Sequence, residues 1–233
     1  MIGVIVPAHN EARVIDHCLA SIAVAAAHPG LDGEPVLVVV ALDDCSDATA
    51  ARCAGHGVMT VTLDARCVGV ARAAAASCAL AHGARWIAST DADTSVPADW
   101  LWRQVSCGAD AFCGVVEVVD WLDYPEAVRV AFNRHGEVVR DGHRHIHGAN
   151  MGFSAAAYLA AGGFPALATS EDVALVAALT DTQARLAWLA QPAVVTSARR
   201  TARAPLGFSS FLRALEREVM EAGAGLLPAR LVP

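Results

Sequence analysis

Short apolar runs alternate with alanine-rich stretches of helical period through the first half of the chain. "IGVIVP" (2–7), "VLVVVAL" (36–42), "VMTVTL" (58–63) and "RWIAST" (85–90) read as buried strands. Between them, residues 11–27 place Val14, Ile15, Cys18, Leu19 and Ile22 on one helical face, with Asn10 as the N-cap. "HPGLDGEP" (28–35) is a loop, and further helices are expected over about 47–55 and over 69–83, the latter closed by Gly83. Pro97 suits the first turn of another helix running to about Cys107. Continuous apolar strands separated by helices imply a parallel sheet covered on both faces. Ligands of such sheets bind beyond the carboxyl ends of the strands. Three polar clusters fall at those ends: "PAHNE" after the first strand, "DDCSD" after the second and "TDADT" after the fourth. They should converge on one crevice.

The second half is less regular. It predicts a strand over 111–119, a helix over 124–136 and an extended stretch that passes into a short helix over 142–164. A helix from Ser170, with acids in its first turn, and an amphipathic helix over 208–223 follow. No repeat or long linker breaks the chain. The reading is one domain, with a donor-binding half at 1–95, an acceptor-side half at 96–205 and a terminal helix and tail at 206–233.

Composition narrows the chemistry. The net charge is −7, which gives no basic face for nucleic acid. All the basic residues are arginines, so a P-loop lysine and Schiff-base chemistry are excluded. The seven cysteines lack a CxxC pair and read as small buried hydrophobes. No apolar stretch reaches membrane-spanning length, and the first residues lack a basic leader region, so a cytoplasmic location is expected.

Asp91 and Asp93, two apart at a strand end, repel each other and suit a hard cation such as Mg²⁺ or Mn²⁺. The same pattern also suits a solvated helix start. Asp43 and Asp44 can cap the next helix, Arg72 can be a surface residue, and Glu171-Asp172 suits a helix dipole. His143, His145 and His147 alternate, so an extended strand would present them on one face, as a zinc site or as a polar strand surface. Trp86 reads as core, while Trp100, Trp102 and Trp121 can stack on a sugar or pack.

Taken in order, "VIVPAHNE" (4–11), "DDCSDAT" (43–49), "GVARAAA" (69–75), "TDADT" (90–94) and "HGANMGFSAAAYLAAGGF…SEDVAL" (147–175) resemble the family-2 glycosyltransferases of the GT-A fold. The resemblance covers about residues 1–180. It implies an α/β, Rossmann-like nucleotide-binding half with a mostly parallel central sheet and a smaller acceptor-side half. It further implies sugar transfer from a nucleoside-diphosphate sugar, with UDP as the default base, to a small-molecule or soluble glycan acceptor, with inversion. By the same resemblance, Asp44 would bond the base within a pocket walled by Pro7, Ala8, Asn10 and Glu11, and Arg72 would contact the nucleotide. Asp91 would reach the ribose or the metal, and Asp93 would ligate Mg²⁺ or Mn²⁺ on the diphosphate. Asp172 would be the general base, supported by Glu171, with His147 and Asn150 near the sugar or acceptor. Arg199 and Arg203 lie where many members carry a mobile basic loop, although the family's QxxRW is absent and no histidine follows His147 as a further metal ligand.

Three rivals share some of these features. A haloacid-dehalogenase-like phosphatase would use Asp91 and Asp93, but that motif normally follows the first strand and has a lysine partner. A nucleotidyltransferase would want a glycine-rich basic loop near the N-terminus. A catalytically degenerate scaffold would have no need of both Asp93 and Asp172.

Overall fold

The computed structural model describes residues 1–135, 140–201 and 207–224. The chain runs β1 (Ile2–Ala8), α1 (Ile15–Ala26), β2 (Val36–Asp43), α2 (Thr49–Gly55), β3 (Met59–Leu63), α3 (Val68–Ala81) and β4 (Trp86–Ser89). It continues with β5 (Thr94–Ser95), α4 (Trp100–Val105), β6 (Ala111–Cys113), β7 (Val116–Glu117), α5 (Glu126–His135), β8 (Met151–Ser154) and α6 (Ala155–Ala160). Helix α7 (Glu171–Asp181), β9 (Leu186–Trp188), β10 (Val194–Thr196) and α8 (Phe208–Ala224) complete it.

Seven strands form the central sheet in the order β3-β2-β1-β4-β8-β6-β9. The four strands anticipated from the first half pair in parallel, whereas β8 runs antiparallel to both β4 and β6. The sheet is therefore mostly parallel, as expected. Successive β1 side chains serve opposite layers. Val4 and Val6 pack with Ile15, Leu19 and Ile22 of α1, while Ile5 packs with the alanines of α3 and with Leu175 and Leu179 of α7. The alanines let α3 lie close to the sheet: a Cβ on Gly3 would stand 2.7 Å from that of Ala79.

A smaller sheet has the order β5-β10-β7, and its strands follow β4, β6 and β9 of the larger sheet in the chain. The run 111–119 does not form one strand, because Ala111–Cys113 and Val116–Glu117 join different sheets. Strands β5, β9 and β10 have two or three residues each, too few to leave a periodicity in sequence. Helix α1 starts later than its apolar pattern suggests. Asn10 adopts φ 55°, and its side-chain oxygen accepts from the amides of Ser46 and Asp47, so it shapes a turn and is not the N-cap. Ser170 likewise makes no side-chain cap, having φ 61°. Trp86 is core as expected, and Trp100 is fully buried. Among the described residues no helix is long and apolar enough to cross a membrane.

Asn150 joins the layers. Its Oδ1 accepts from Trp100 Nε1 at 2.9 Å, and its Nδ2 donates to the carbonyls of Val115 and Pro192 at 2.8 and 2.9 Å. It is fully buried. Leaving such groups unpaired costs more than the bonds contribute. Asn150→Ala is expected to lower stability by about 2–4 kcal/mol in urea unfolding; an unchanged midpoint would contradict this role for the side chain.

Candidate active site

The carboxyl ends of β1, β2 and β4 open into a cavity of about 1130 Å³. Small-ligand sites usually span about 300–1,000 Å³, so there is room for a large ligand or for two. Pro7, Ala8, Glu11, Arg72, Asp91 and Asp93 line it, as do His147, Glu171, Asp172 and Arg199. Most of the anticipated site residues therefore meet in one place.

Arg72, on α3, is the centre of that meeting. Its side chain is only 3% exposed. Nε donates to Glu171 at 2.9 Å, Nη2 to Asp91 at 2.6 Å and Nη1 to Ser89 Oγ at 2.6 Å. Burial acts to lower its pKa, but Asp91 and Glu171 overcome this and hold the guanidinium firmly charged. Arg72 lines the cavity, yet its donors are directed at the protein. It joins the end of β4 to the start of α7, a part that sequence reasoning assigned instead to nucleotide contact.

Gly148 completes this joint. Its amide donates to Asp172 Oδ2 at 2.8 Å, and its carbonyl accepts from Ser89 Oγ at 2.9 Å. A Cβ there would stand 2.5 Å from Arg72 Nη2, so the close approach requires glycine. The other Asp172 oxygen, Oδ1, accepts from the Val173 amide at 2.8 Å. Two amides thus orient the carboxylate. Glu171 is 5% exposed, and burial raises its pKa against the pull of Arg72.

Asp93 is held differently. The β5–β10 pairing, with Thr94 Oγ1 donating to Thr196 Oγ1 at 3.0 Å, brings Arg199 over the acidic pair. Arg199 Nη1 donates to both Glu11 oxygens at 2.7 and 2.8 Å, and Nε lies 3.2 Å from Asp93 Oδ2. Burial pushes the Asp93 carboxyl up to about 6; Arg199 opposes that shift, while Asp91 and Glu11 add to it. Carboxylates outnumber guanidiniums around the cavity, so an anionic ligand needs a cation to accompany it. Among the described residues no three His, Cys, Asp or Glu side chains converge closely enough to hold a metal alone. Two hard carboxylates fit Mg²⁺ or Mn²⁺, which commonly take their other oxygens from water and phosphate.

Three anticipated residues stand outside the lining. Asp44 adopts φ 49° and pairs with Arg66. Asp43 takes the cavity position instead: its carboxylate accepts from the amides of Ala65, Arg66 and Cys67 at 2.7–2.9 Å. Strand phase carries the signal for this, because Asp43 follows Val39 and Ala41 on the face that packs on α3. Asn10 and Asn150 are spent on the turn and the layer joint described above. Arg203 lies outside the described residues.

His9 was not anticipated. It lines the cavity, and its Nδ1 lies 2.7 Å from the Asp43 carbonyl oxygen. His143, His145 and His147 form no strand, but their rings follow one another at 5.6 and 6.1 Å, and the last two reach the cavity. Trp102 stacks on His28, and Trp121 packs edge-on against Tyr124 and Phe132; neither tryptophan lines the cavity.

Comparison with known proteins gives the same direction. No curated protein matches the chain. Solved structures do: S. aureus TarS 1-349 in complex with UDP-GlcNAc has a TM-score of 0.64 at 16% identity, covering 99% of this chain and 68% of that one. Mannosyltransferase PcManGT from Pyrobaculum calidifontis, in complex with GDP-Man and Mn²⁺, has a TM-score of 0.61 at 19% identity, covering 98% and 76%. Glucosyl-3-phosphoglycerate synthase from Mycobacterium tuberculosis, in complex with Mn²⁺, UDP and glucosyl-3-phosphoglycerate, has a TM-score of 0.57 at 18% identity, covering 97% and 79%. These likenesses establish the architecture, a GT-A fold. The profile described as "Glycosyl transferase family 2" matches residues 3–156, which include the β1, β2 and β4 ends and Arg72. By that match the chain belongs to glycosyl transferase family 2 and is a glycosyltransferase.

Proposed function

We propose that this protein moves a sugar from a nucleoside diphosphate to an acceptor hydroxyl with inversion, and that Asp172 is the general base. One observation carries the reading: Asp91 and Asp93 at the end of β4 and Asp172 at the start of α7 open onto one cavity, with Arg72 bridging Asp91 to Glu171. The similar structures that hold UDP-GlcNAc, or GDP-Man with Mn²⁺, support this class of donor. UDP is the first base to test and GDP the second.

Inverting transfer needs two separated functions. The acceptor oxygen must lose its proton as it attacks the anomeric carbon, and the diphosphate must leave from the opposite face. Asp172 accepts that proton, its carboxylate held by the Gly148 and Val173 amides. The bond from the anomeric carbon to the diphosphate oxygen breaks, and the nucleoside diphosphate departs with that electron pair. Asp93 and Asp91 would hold a divalent cation, which supplies positive charge to the leaving diphosphate. Arg199, paired with Glu11 and Asp93, shares that end of the cavity and offsets part of its negative charge. Pro7, Ala8, His9 and Asp43 line the part beyond β1 and β2, where the base would sit. His147 presents an uncharged imidazole, because burial, and then the neighbouring His145, lower its pKa to about 4.

In thermal-shift experiments, UDP or GDP with Mn²⁺ is expected to raise the melting temperature of the full chain, and EDTA to abolish the rise. Asp93→Ala should lose the metal-dependent rise; an undiminished rise in that variant would remove Asp93 from the metal site. Asp172→Asn is expected to reduce kcat about 10²–10⁴-fold while leaving the donor-induced shift in place. Near wild-type turnover would assign the base elsewhere. For His147 the folded state binds its proton later than the unfolded chain, whose imidazole has the ordinary value of 6.5. This residue therefore contributes a loss of stability as pH falls from 6.5 towards 4. Its ring should stay neutral at pH 6 in a histidine NMR titration, and His147→Gln should flatten the stability profile across that window. Half-protonation near 6.5 would contradict this.

A further inference from the structure

The cavity has a second kind of lining that the acid chemistry does not use. Phe132 of α5 and Phe208 and Phe211 of α8 face into it together with Val116, Val118 and Ile146. The three rings touch one another, with centroids 5.9, 6.4 and 6.2 Å apart. Behind them Tyr124, Val128, Leu212 and Leu215 are buried, so the wall is backed by packed side chains. Phe211 nonetheless stays 45% exposed. No ring in this wall carries a hydroxyl.

Charge around the wall disfavours an anionic group. Glu117 lines the same cavity. Arg200, which lies over the Tyr124 ring at 4.1 Å, is spent on Asp123 and Glu216. The described arginines of the cavity are committed elsewhere: Arg66 to Asp44, Arg72 to Asp91 and Glu171, and Arg199 to Glu11 and Asp93.

We propose that the phenylalanine wall receives the body of the acceptor, and that this acceptor is an uncharged apolar alcohol whose hydroxyl reaches Asp172. The inference rests on the transferase reading above. It replaces the expectation of a soluble glycan: Asn133 and Ser209 line the cavity beside the rings, but three touching phenylalanine faces reward alkyl surface more than the hydroxyls of a polyol.

The test measures nucleoside diphosphate release from the donor chosen by thermal shift. The acceptors are straight-chain primary alcohols from propanol to octanol, with glucose and glycerol 3-phosphate as polar controls. The expected result is a kcat/KM that rises about fourfold per added methylene group and exceeds that of both controls. Phe211→Ser should flatten this chain-length dependence; the exposure of Phe211 makes it a mild change for the fold. Donor binding with faster transfer to glucose or glycerol 3-phosphate, or a chain-length dependence unaltered in Phe211→Ser, would overturn the inference and leave the transferase reading intact. Absence of any donor-induced thermal shift would overturn both.

Discussion

A buried guanidinium holds this site together. Arg72 bonds at once to the end of β4, through Ser89 and Asp91, and to the start of α7, through Glu171. A charge placed there needs complete pairing, and breaking a buried pair by removing one partner typically costs about 3–5 kcal/mol. The consequence is geometric. The strand end that would carry the cation and the helix end that would carry the base are both bonded to one side chain. Gly148 fits into the same joint because it lacks a Cβ, and from there its amide orients Asp172.

The rest of the cavity is arranged about an excess of negative charge. Arg199 offsets part of it at Glu11 and Asp93, reached through the small β5-β10-β7 sheet. An anion entering among these carboxylates must arrive with a cation. The same constraint explains why the acidic end and the phenylalanine end suit different partners: one suits a metal-bound diphosphate, the other apolar surface.

Much of this was legible in the amino-acid sequence. Strands β1, β2 and β4 announce themselves because both faces are largely covered, which makes each a continuous apolar run, whereas β3, at the sheet edge, alternates with exposed Thr60 and Thr62; the polar residues after β1, β2 and β4 had to collect at one sheet edge. Asp91, Asp93, Glu11 and Asp172 followed from that and from the family resemblance. The shorter elements were not legible. Two- and three-residue strands such as β5 and β10 exist only through tertiary pairing, yet they place Arg199. Several polar residues are held mainly by the protein itself. Arg72, Asn10 and Asn150 look chemical in sequence, but in the fold they bond mainly to the protein's own groups. Asp43 and Asp44 differ only by strand phase, and the phase of β2 turns Asp43 inward. The phenylalanine wall joins residues of α5 and α8 that are far apart in sequence, so no local pattern could reveal it.

The central claim is that the acidic pair after β4 binds the diphosphate end of a nucleotide sugar through a divalent cation, in the cavity that Asp172 shares. Crystals of the chain grown with Mn²⁺ and UDP, or GDP if that nucleotide gives the larger thermal shift, would test it by anomalous scattering from manganese. The account predicts one strong manganese peak in coordination contact with Asp93 and with the nucleotide phosphates. A bound nucleotide with no manganese beside Asp91 or Asp93, or manganese bound away from the phosphates, would contradict it.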